Sequence, residues 1–278
     1  MKTLLIQTTK ELINYRNSLP NDSIVGLVPT MGALHNGHKS LIEHSRKTDS
    51  HTIVSVFVNP TQFGQNEDFS KYPRNIDKDF KLCEESGVAV VFAPSANEMY
   101  LKNDEITLRA PKNMGYIYEG FIREGHFDGV LSIVLKLLHL SLPHHAYFGQ
   151  KDAQQLLIVK RLVQDTFLPT KIIPCPTQRD PDGLAMSSRN IYLSDLQRKE
   201  ALKIPAGLSR IAKAIKEGET KTSILIELAK IELTNLDVQY LDICDYNLNS
   251  ITHIQKDSSI ALIAAKVGQT RLLDNLWI

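Results

Sequence analysis

The sequence predicts an α/β fold built on a doubly wound parallel sheet, followed by a smaller C-terminal α+β domain. Short, nearly continuous apolar runs alternate with segments of helical spacing from about residue 23 to residue 177, and the runs are rich in β-branched residues. Right-handed crossovers between such strands make them parallel, which is the Rossmann-like arrangement. The alternation stops near residue 178, so we expect two domains, at 1–177 and 178–278.

The first part of this alternation covers residues 23–94. The predicted elements are a strand at 23–28, a helix at 35–47, a strand at 52–58, a helix from residue 76, and a strand at 88–94. The second helix carries Ile76, Phe80 and Cys83 on one face, and Gly87 is placed to end it.

The second part of the alternation begins after an irregular stretch with a possible strand at 105–110. Asp128 is a candidate N-cap for a strongly apolar helix at 129–142, which Pro143 ends. A strand at 145–149, an amphipathic helix at 153–167 and a strand at 171–177 complete the series.

The C-terminal domain opens with a polar loop at 178–190. Ser194 and Gln197 form a capping-box pattern for a helix that Pro205 should kink or break. A helix at 223–233 and alternating segments at 238–243, 259–267 and 270–278 follow, with Gly268 at a turn. This pattern is typical of a small α+β domain.

Composition limits the classes of function. The 32 Lys and Arg residues nearly balance the 31 Asp and Glu residues, so no overall positive field would attract nucleic acid or an anionic membrane. The three cysteines are far apart, which argues against a disulfide framework and a cysteine zinc site. The sequence shows neither a signal-peptide pattern nor a membrane span, and we therefore expect a cytoplasmic protein.

The stretch "HNGH" places two histidines at the junction of a predicted strand and helix. An α/β sheet binds ligands beyond the carboxyl ends of its strands, and a helix N-terminus with unpaired N–H groups favours anions. His35 and His38 would become protonated, charge-assisted donors beside a phosphate, and Gly37 would allow its close approach. The alternatives are that His38 packs in the core and His35 is an ordinary loop residue, or that the pair binds zinc, although no third ligand is evident nearby.

Polar residues also follow other predicted strands. Side-chain amides, a lysine, an aspartate and two hydroxyls with a guanidinium occur in the stretches "NPTQF" at 59–63, "GQKDAQQ" at 149–155 and "MSSRN" at 186–190. Amides suit hydroxyls and carboxylates of a small polar substrate, and a guanidinium suits phosphates. Each stretch alone is also consistent with a turn, a solvated helix start or a surface loop.

Together, these stretches resemble the pantothenate synthetase family. The blocks "PTMGALHNGH", "NPTQF", "KYPR", "GHFDGV", "FGQKDAQQL" and "DGLAMSSRN" occur in the family's order. "HNGH" and "MSSRN" are similar to the H-x-G-H and K-M-S-K-S-like elements of the wider nucleotidyltransferase superfamily. The resemblance implies a ligase in which the pantoate carboxylate attacks ATP to give pantoyl adenylate and pyrophosphate, after which the β-alanine amine displaces AMP to form pantothenate.

The resemblance also implies roles for individual residues. It assigns His38 as proton donor and His35, Lys151 and Arg189 as the other catalytic groups. It assigns pantoate binding to Gln62 and Gln155, and places Gln62 beside β-alanine. It assigns ATP binding to Met31, Gly32, Ala33, Leu34, His35, Asn36, Gly37, His38, Gly149, Gln150, Lys151, Asp152, Gln178, Met186, Ser187, Ser188 and Arg189.

The resemblance further implies Mg²⁺ carried by the ATP phosphates rather than by a protein metal site, and a homodimer. Three positions depart from the family's pattern: Ala153 replaces an aromatic residue, Glu124 a proline, and Gln178 an apolar residue. None of these departures removes a charged catalytic group.

Two other functions stay open at this point. A different adenylyltransferase of the superfamily would act on a phosphate-bearing acceptor and would need extra basic residues, whereas this sequence offers amides at Asn59, Gln62 and Gln155. A nucleotide-binding regulatory module would bind ATP without turnover.

Overall fold

The structure, a computed structural model, describes residues 2–65, 67–100 and 105–278. The chain divides into two compact units, one of residues 1–150 and 158–175 and one of residues 151–157 and 176–278. Across the described ranges, no helix is long and apolar enough to cross a membrane.

The first unit contains a six-stranded parallel sheet, which confirms the predicted fold class. Its strands are β1 (Leu4–Ile6), β2 (Val25–Thr30), β3 (His51–Val56), β4 (Val90–Phe92), β5 (His145–Gly149) and β6 (Lys171–Cys175). Its helices are α1 (Thr9–Ser18), α2 (Asn36–Thr48), α3 (Ile76–Glu85), α4 (Ala96–Met99), α5 (Glu119–Ile122) and α6 (His126–Ser141), and α7 (Ala153–Asp165) begins in the second unit and continues into the first.

The strand order is β1-β4-β3-β2-β5-β6, so the chain winds outward in both directions from β2. The carboxyl ends of β2 and its neighbour β5 therefore form the switch point at which doubly wound sheets bind ligands. The buried face of α2 packs into a core cluster with strand residues that include Val28, Val54 and Val91. This packing fixes the direction in which α2 leaves the sheet edge.

Three predictions for this unit need correction. Neither β1 nor α1 was predicted; β1 is only three residues long, and its Leu4 and Leu5 are exposed. Residues 105–110 are not a strand. Asp128 is not the N-cap of α6: Gly125 holds that position with φ +75°, and the Asp128 carboxylate accepts the Ala110 N–H at 2.8 Å.

The second unit contains an antiparallel sheet in the order β7-β8-β9 with three helices. The strands are β7 (Asp237–Asp245), β8 (Ser259–Val267) and β9 (Thr270–Trp277), and the helices are α8 (Asp195–Ala201), α9 (Lys203–Lys216) and α10 (Thr222–Lys230). The unit has its own core, which includes Leu208, Ile211, Leu225, Ile243 and Ile263.

Two sequence predictions for the second unit are confirmed. The Ser194 side chain and the Gln197 backbone and side chain form the expected capping box of α8. The predicted helix breaks at Leu202, and Pro205 lies in the first turn of α9, where its missing N–H costs no helical hydrogen bond.

Candidate active site

A buried carboxylate accepts backbone hydrogen bonds from the loop that follows β2. Asp79 of α3 is 2% exposed and accepts the N–H groups of Ala33 at 2.9 Å and Leu34 at 2.8 Å. Gly32 has φ +83°, and a Cβ there would lie 2.9 Å from the Asp79 carboxylate. Only glycine fits this close approach in a left-handed conformation. The N–H groups of Ala33 and Leu34 are therefore committed to Asp79.

His35 and His38 lie together at the start of α2, with ring centroids 4.1 Å apart. His35 is the N-cap, and its Nδ1 accepts the Gly37 N–H at 3.1 Å. In return, the Nδ1 of His38 accepts the His35 N–H at 3.3 Å. The two imidazoles thus form a reciprocal capping box, in the positions that Ser or Thr and Glu usually occupy.

This geometry determines the form of both rings. An Nδ1 atom that accepts an N–H carries a lone pair, so each neutral ring has its proton on Nε2. In this arrangement the Gly37 N–H is therefore already bonded to His35, and the protonated imidazoles expected beside a phosphate stay a prediction. Each ring can offer a neutral Nε2–H donor to a phosphate oxygen.

A second group of polar side chains lies in the 3₁₀ turn Pro60–Gln62 that follows β3. Gln62 is 8% exposed, and its Nε2 lies 3.1 Å from the Sδ atom of Met31 in the loop after β2. Its Oε1 accepts the Asn59 Nδ2 at 3.0 Å. The structure thus brings Gln62 to the loop that carries the histidine pair.

Gly129 of α6 allows the helix to pack directly on this turn. A Cβ at position 129 would lie 2.3 Å from the Thr61 carbonyl oxygen and 2.6 Å from the Gln62 nitrogen. The Gly129 carbonyl also accepts the Asn59 Nδ2 at 3.1 Å. The "GHFDGV" block is therefore part of the support for Gln62.

The same block supplies a buried histidine. His126 Nδ1 donates to the Gln62 carbonyl at 2.9 Å, and its Nε2 accepts from Arg123 at 3.0 Å. Arg123 also pairs with Glu67 at 2.6 Å. Burial, with a smaller contribution from the Arg123 charge, lowers the pKa of His126 to about 4. His126 is therefore neutral at pH 7 and holds the backbone of Gln62.

The end of β5 is the other side of the switch point. An added Cβ at Gly149 would find no atom within 4 Å, so this position has open space on that side. The Gln150 N–H is bonded to the Cys175 carbonyl at the end of β6. Space beside backbone at a switch point is a feature that a nucleotide phosphate can use.

In the second unit, the predicted residues begin with Lys151. Its ammonium pairs with the Asp152 carboxylate at 3.2 Å, and its carbonyl accepts the Asn275 Nδ2 at 2.7 Å. The Lys151 side chain is 21% exposed, and Gln155 is half-buried in the first turn of α7. The bond from Asn275 fixes the backbone from which the lysine projects.

The stretch that contains "MSSRN" is an ordered hairpin rather than a flexible loop. The Met186 N–H donates to the Gln178 carbonyl at 2.9 Å, and Arg179 pairs with Ala185 in an isolated bridge. The Ser187 hydroxyl caps a 3₁₀ turn at Ser188–Tyr192 by accepting the Arg189 N–H at 3.3 Å. These bonds place Met186, Ser187, Ser188 and Arg189 in one hydrogen-bonded segment.

Two arginines brace this hairpin. Arg179 forms a bidentate pair with the buried Asp274 carboxylate of β9, at 2.7 and 2.9 Å. Arg198 of α8 bonds both Asp180 and Asp182, which lowers the pKa of Asp182. Bidentate charged bonds of this kind fix geometry as well as adding energy.

The side chains of residues 2–65, 67–100 and 105–278 do not fit a resident metal site. The described residues include no group of three or more His, Cys, Asp or Glu side chains that could hold a metal ion. The histidine pair uses both Nδ1 atoms for backbone N–H groups, which suits anion binding better than zinc ligation.

The sequence reading missed most of the supporting residues, among them Asp79, His126, Arg123, Gly129, Asp274 and Arg198. Asp79 had a detectable signal, because it lies one turn before Cys83 on the buried face of α3, where a carboxylate is unexpected. Arg198 and Asp274 had none, since their partners are remote in sequence.

Comparisons with known proteins identify the family of this chain. The family profile for pantoate-beta-alanine ligase matches residues 4–277. The pantothenate synthetase of Wolinella succinogenes is 53% identical over 254 residues, covering 91% of this chain and 93% of the relative. That of Helicobacter pylori strain Shi470 is 54% identical over 275 residues, covering 98% and 99%.

Solved structures give the same result. The crystal structure of pantothenate synthetase from Thermus thermophilus superposes with a TM-score of 0.92 at 37% identity, covering 99% of both chains. The pantoate-beta-alanine ligase of Francisella tularensis, solved with beta-gamma ATP and beta-alanine, gives a TM-score of 0.81 at 35% identity, covering 99% of this chain and 97% of that one.

Proposed function

Because this chain belongs to the pantoate–β-alanine ligase family, we propose that the residues described above carry the ATP-dependent joining of pantoate to β-alanine. The chain is an enzyme of this family, a ligase whose product is pantothenate. The observation that carries the assignment of roles is the reciprocal His35–His38 pair, because its two Nδ1 atoms accept backbone N–H groups and fix both rings beyond the end of β2.

We assign ATP binding to three stretches of the chain and one further residue. These are Met31 to His38, Gly149 to Asp152, Gln178, and Met186 to Arg189. Ala33 and Leu34 would contact ATP through atoms other than their N–H groups, because Asp79 accepts both. Gln62 and Gln155 would bind pantoate, and β-alanine would then react beside Gln62.

In the first step, a pantoate carboxylate oxygen attacks the α-phosphorus of ATP, and the bond to the pyrophosphate oxygen breaks. Negative charge accumulates on the α-phosphate oxygens and on the leaving pyrophosphate. The Nε2–H groups of His35 and His38, with Lys151 and Arg189, are the donors that would stabilise this charge. The loss of one such donor typically raises the barrier by about 3 to 4 kcal/mol.

In the second step, the β-alanine amine attacks the carbonyl carbon of pantoyl adenylate, AMP leaves with the bonding electrons, and the new amide nitrogen releases a proton to solvent. The contribution of Gln62 and Gln155 to both steps would be positional, because a carboxylate is a weak nucleophile that must be held in line with the phosphorus. His38 would supply the hydrogen bond that the departing phosphate oxygen requires.

We propose that Mg²⁺ enters as part of the ATP substrate, since the side chains present form no metal-binding cluster in the described ranges. The ion would neutralise phosphate charge when bound.

We also propose a cytoplasmic homodimer with functional domains at 1–177 and 178–278. The resemblance implies the dimer, and the exposed leucines of edge strand β1, Leu4 and Leu5, offer apolar surface. Light scattering of the purified protein would separate a dimer from the 31.3 kDa monomer.

The amides of the acceptor site favour this function over its nearest rival. An adenylyltransferase with a phosphate-bearing acceptor needs basic groups there, whereas Asn59 and Gln62 are neutral and bonded to each other. Their chemistry suits the carboxylate and hydroxyls of pantoate.

The direct test follows the two half-reactions. The protein is incubated with ATP, Mg²⁺ and pantoate while pyrophosphate is measured, and β-alanine is then added while AMP and pantothenate are followed. We expect pyrophosphate release that depends on pantoate, then AMP and pantothenate release that depends on β-alanine. Bound ATP with neither product would support a different acceptor or a regulatory module instead.

A further inference from the structure

The side-chain amide of Gln62 has one orientation. Its Oε1 accepts the Asn59 Nδ2 at 3.0 Å, and its Nε2 lies 3.1 Å from the thioether sulfur of Met31. A thioether is only a weak acceptor, so a substrate oxygen that replaced it would form a stronger hydrogen bond. The Nε2 end is therefore the end that Gln62 offers to a ligand.

Backbone groups fix the orientation of Asn59, on which that of Gln62 depends. The Asn59 Nδ2 donates to the Gly129 carbonyl at 3.1 Å, and its Oδ1 accepts the Thr61 N–H at 3.4 Å. A carbonyl can only accept and an N–H can only donate, so the reversed amide would lose both bonds. Asn59 must then direct its Nδ2 toward Gln62, and Gln62 must accept that hydrogen bond with its Oε1.

Tyr100 makes the shortest contact in this chain of bonds. Its hydroxyl donates to the Asn59 Oδ1 at 2.6 Å. The Lys136 ammonium lies 4.2 Å from the centre of the Tyr100 ring and bonds the Met99 carbonyl at 2.6 Å, which holds the ring in place. Burial raises the pKa of Tyr100, so its phenol stays protonated and remains a donor at neutral pH.

We propose that Tyr100 is a positioning residue for pantoate recognition, which acts through Asn59 to hold the Gln62 amide with its Nε2 donors toward the substrate. This inference rests on the proposed function. Fixed donors at Gln62 select oxygen atoms that accept, such as those of a carboxylate or hydroxyl, and they do not suit an ammonium group. Gln62 would therefore bind pantoate oxygens rather than the β-alanine amine.

The test is Tyr100→Phe, which keeps the ring and removes only the hydroxyl. Pantoate-dependent pyrophosphate release gives KM values for pantoate and ATP, and thermal unfolding reports on the fold. We expect the KM for pantoate to rise about tenfold, the effect of one well-placed hydrogen bond, while the KM for ATP stays within about twofold. Tyr15→Phe is the matched control, because Tyr15 is also half-buried and bonds a side chain, His51, at 3.0 Å.

A second measurement tests whether Tyr100 acts through Gln62. In a Gln62→Ala background, Tyr100→Phe should leave kcat/KM for pantoate, taken from the initial slope, unchanged within about twofold, since the group it orients is gone. If Tyr100→Phe instead lowers kcat/KM in the Gln62→Ala background by the same factor as in the wild type, Tyr100 acts independently of Gln62. That result would overturn the inference.

Two results with Tyr100→Phe alone would also overturn it. One is an unchanged KM for pantoate. The other is a rise in both KM values with a lower unfolding temperature, which would show that Tyr100 only supports the fold. Wild-type protein assayed in parallel distinguishes failure of the proposed function from failure of the inference. If the wild type releases no pantoate-dependent pyrophosphate, both are contradicted. If the wild type is active and the variant is unaffected, only the inference is contradicted.

Discussion

The Asp79 carboxylate accepts the Leu34 N–H at 2.8 Å, in the loop that leads into the histidine pair. Burial raises the pKa of Asp79, and the backbone bonds from Leu34 and Ala33 partly offset this. Ionised Asp79 therefore costs free energy in the folded state. Such a cost is expected where a residue serves a site rather than stability.

We predict that Asp79→Asn weakens ATP binding, because an amide can accept only one of the two N–H groups and directs its own N–H at the other. The KM for ATP should rise by about tenfold or more, with a smaller change for pantoate. Asp49→Asn is the control, since Asp49 is equally buried and bonds His145 and Tyr147. This variant should lose stability and keep the ATP KM. An ATP KM unchanged by Asp79→Asn would show that the loop keeps its conformation without the carboxylate.

His126 should make the stability of the protein depend on pH. Its pKa is about 4 in the folded chain and about 6.5 in an unfolded one, so between these values the unfolded chain binds more protons. The free energy of unfolding should therefore fall as pH decreases from 7 to 5, by about 2 kcal/mol from this group. Denaturant titrations at the two pH values measure it. His126→Phe should remove this part of the pH dependence, whereas His253→Gln, at an exposed position, should keep it.

Replacement by alanine should lower the unfolding free energy at one of two glycines and leave it unchanged at the other. Gly129→Ala places a Cβ 2.3 Å from the Thr61 carbonyl, so α6 must move off the turn that carries Gln62. We expect a loss of about 3 kcal/mol in unfolding free energy and weaker pantoate use.

Gly149→Ala is the matched variant, since its Cβ would meet no atom within 4 Å. It should keep wild-type stability. If a phosphate approaches that backbone, as proposed, the KM for ATP should rise. Equal stability losses in the two variants would contradict the packing of α6 on the turn.

The sequence predicted five of the six strands of the parallel sheet and the position of the histidine pair between a strand and a helix, because those features are local. "HNGH" sits between an apolar run and an amphipathic helix, and both elements are confirmed within two residues at β2 and α2. The partners of the histidines were not predictable in the same way. The amino-acid sequence does not show that each ring caps the helix through Nδ1, because that depends on the conformation of residues 32 to 35.

The ion pairs and hydrogen bonds that support the candidate site residues were not predicted, for a related reason. Arg179 and Asp274 are 95 positions apart, and Asp79 and Leu34 are 45 apart. Long-range pairs of this kind follow from how the strands and helices assemble, which one sequence does not specify pair by pair. The misassigned Asp128 shows the same limit, since its partner, Ala110, lies in an irregular segment.

We propose that the histidine pair promotes the attack of pantoate on ATP, and the decisive measurement is pantoate-dependent pyrophosphate release by His38→Ala. We predict a rate lower by about two to three orders of magnitude than that of the wild type, with the fold retained. His44→Ala is the control, since His44 lies on the same helix and its ring bonds only the Ser40 carbonyl among the described contacts. A near-normal rate for His38→Ala, or a normal rate per folded molecule with lower thermal stability, would contradict the claim and identify His38 as a structural residue.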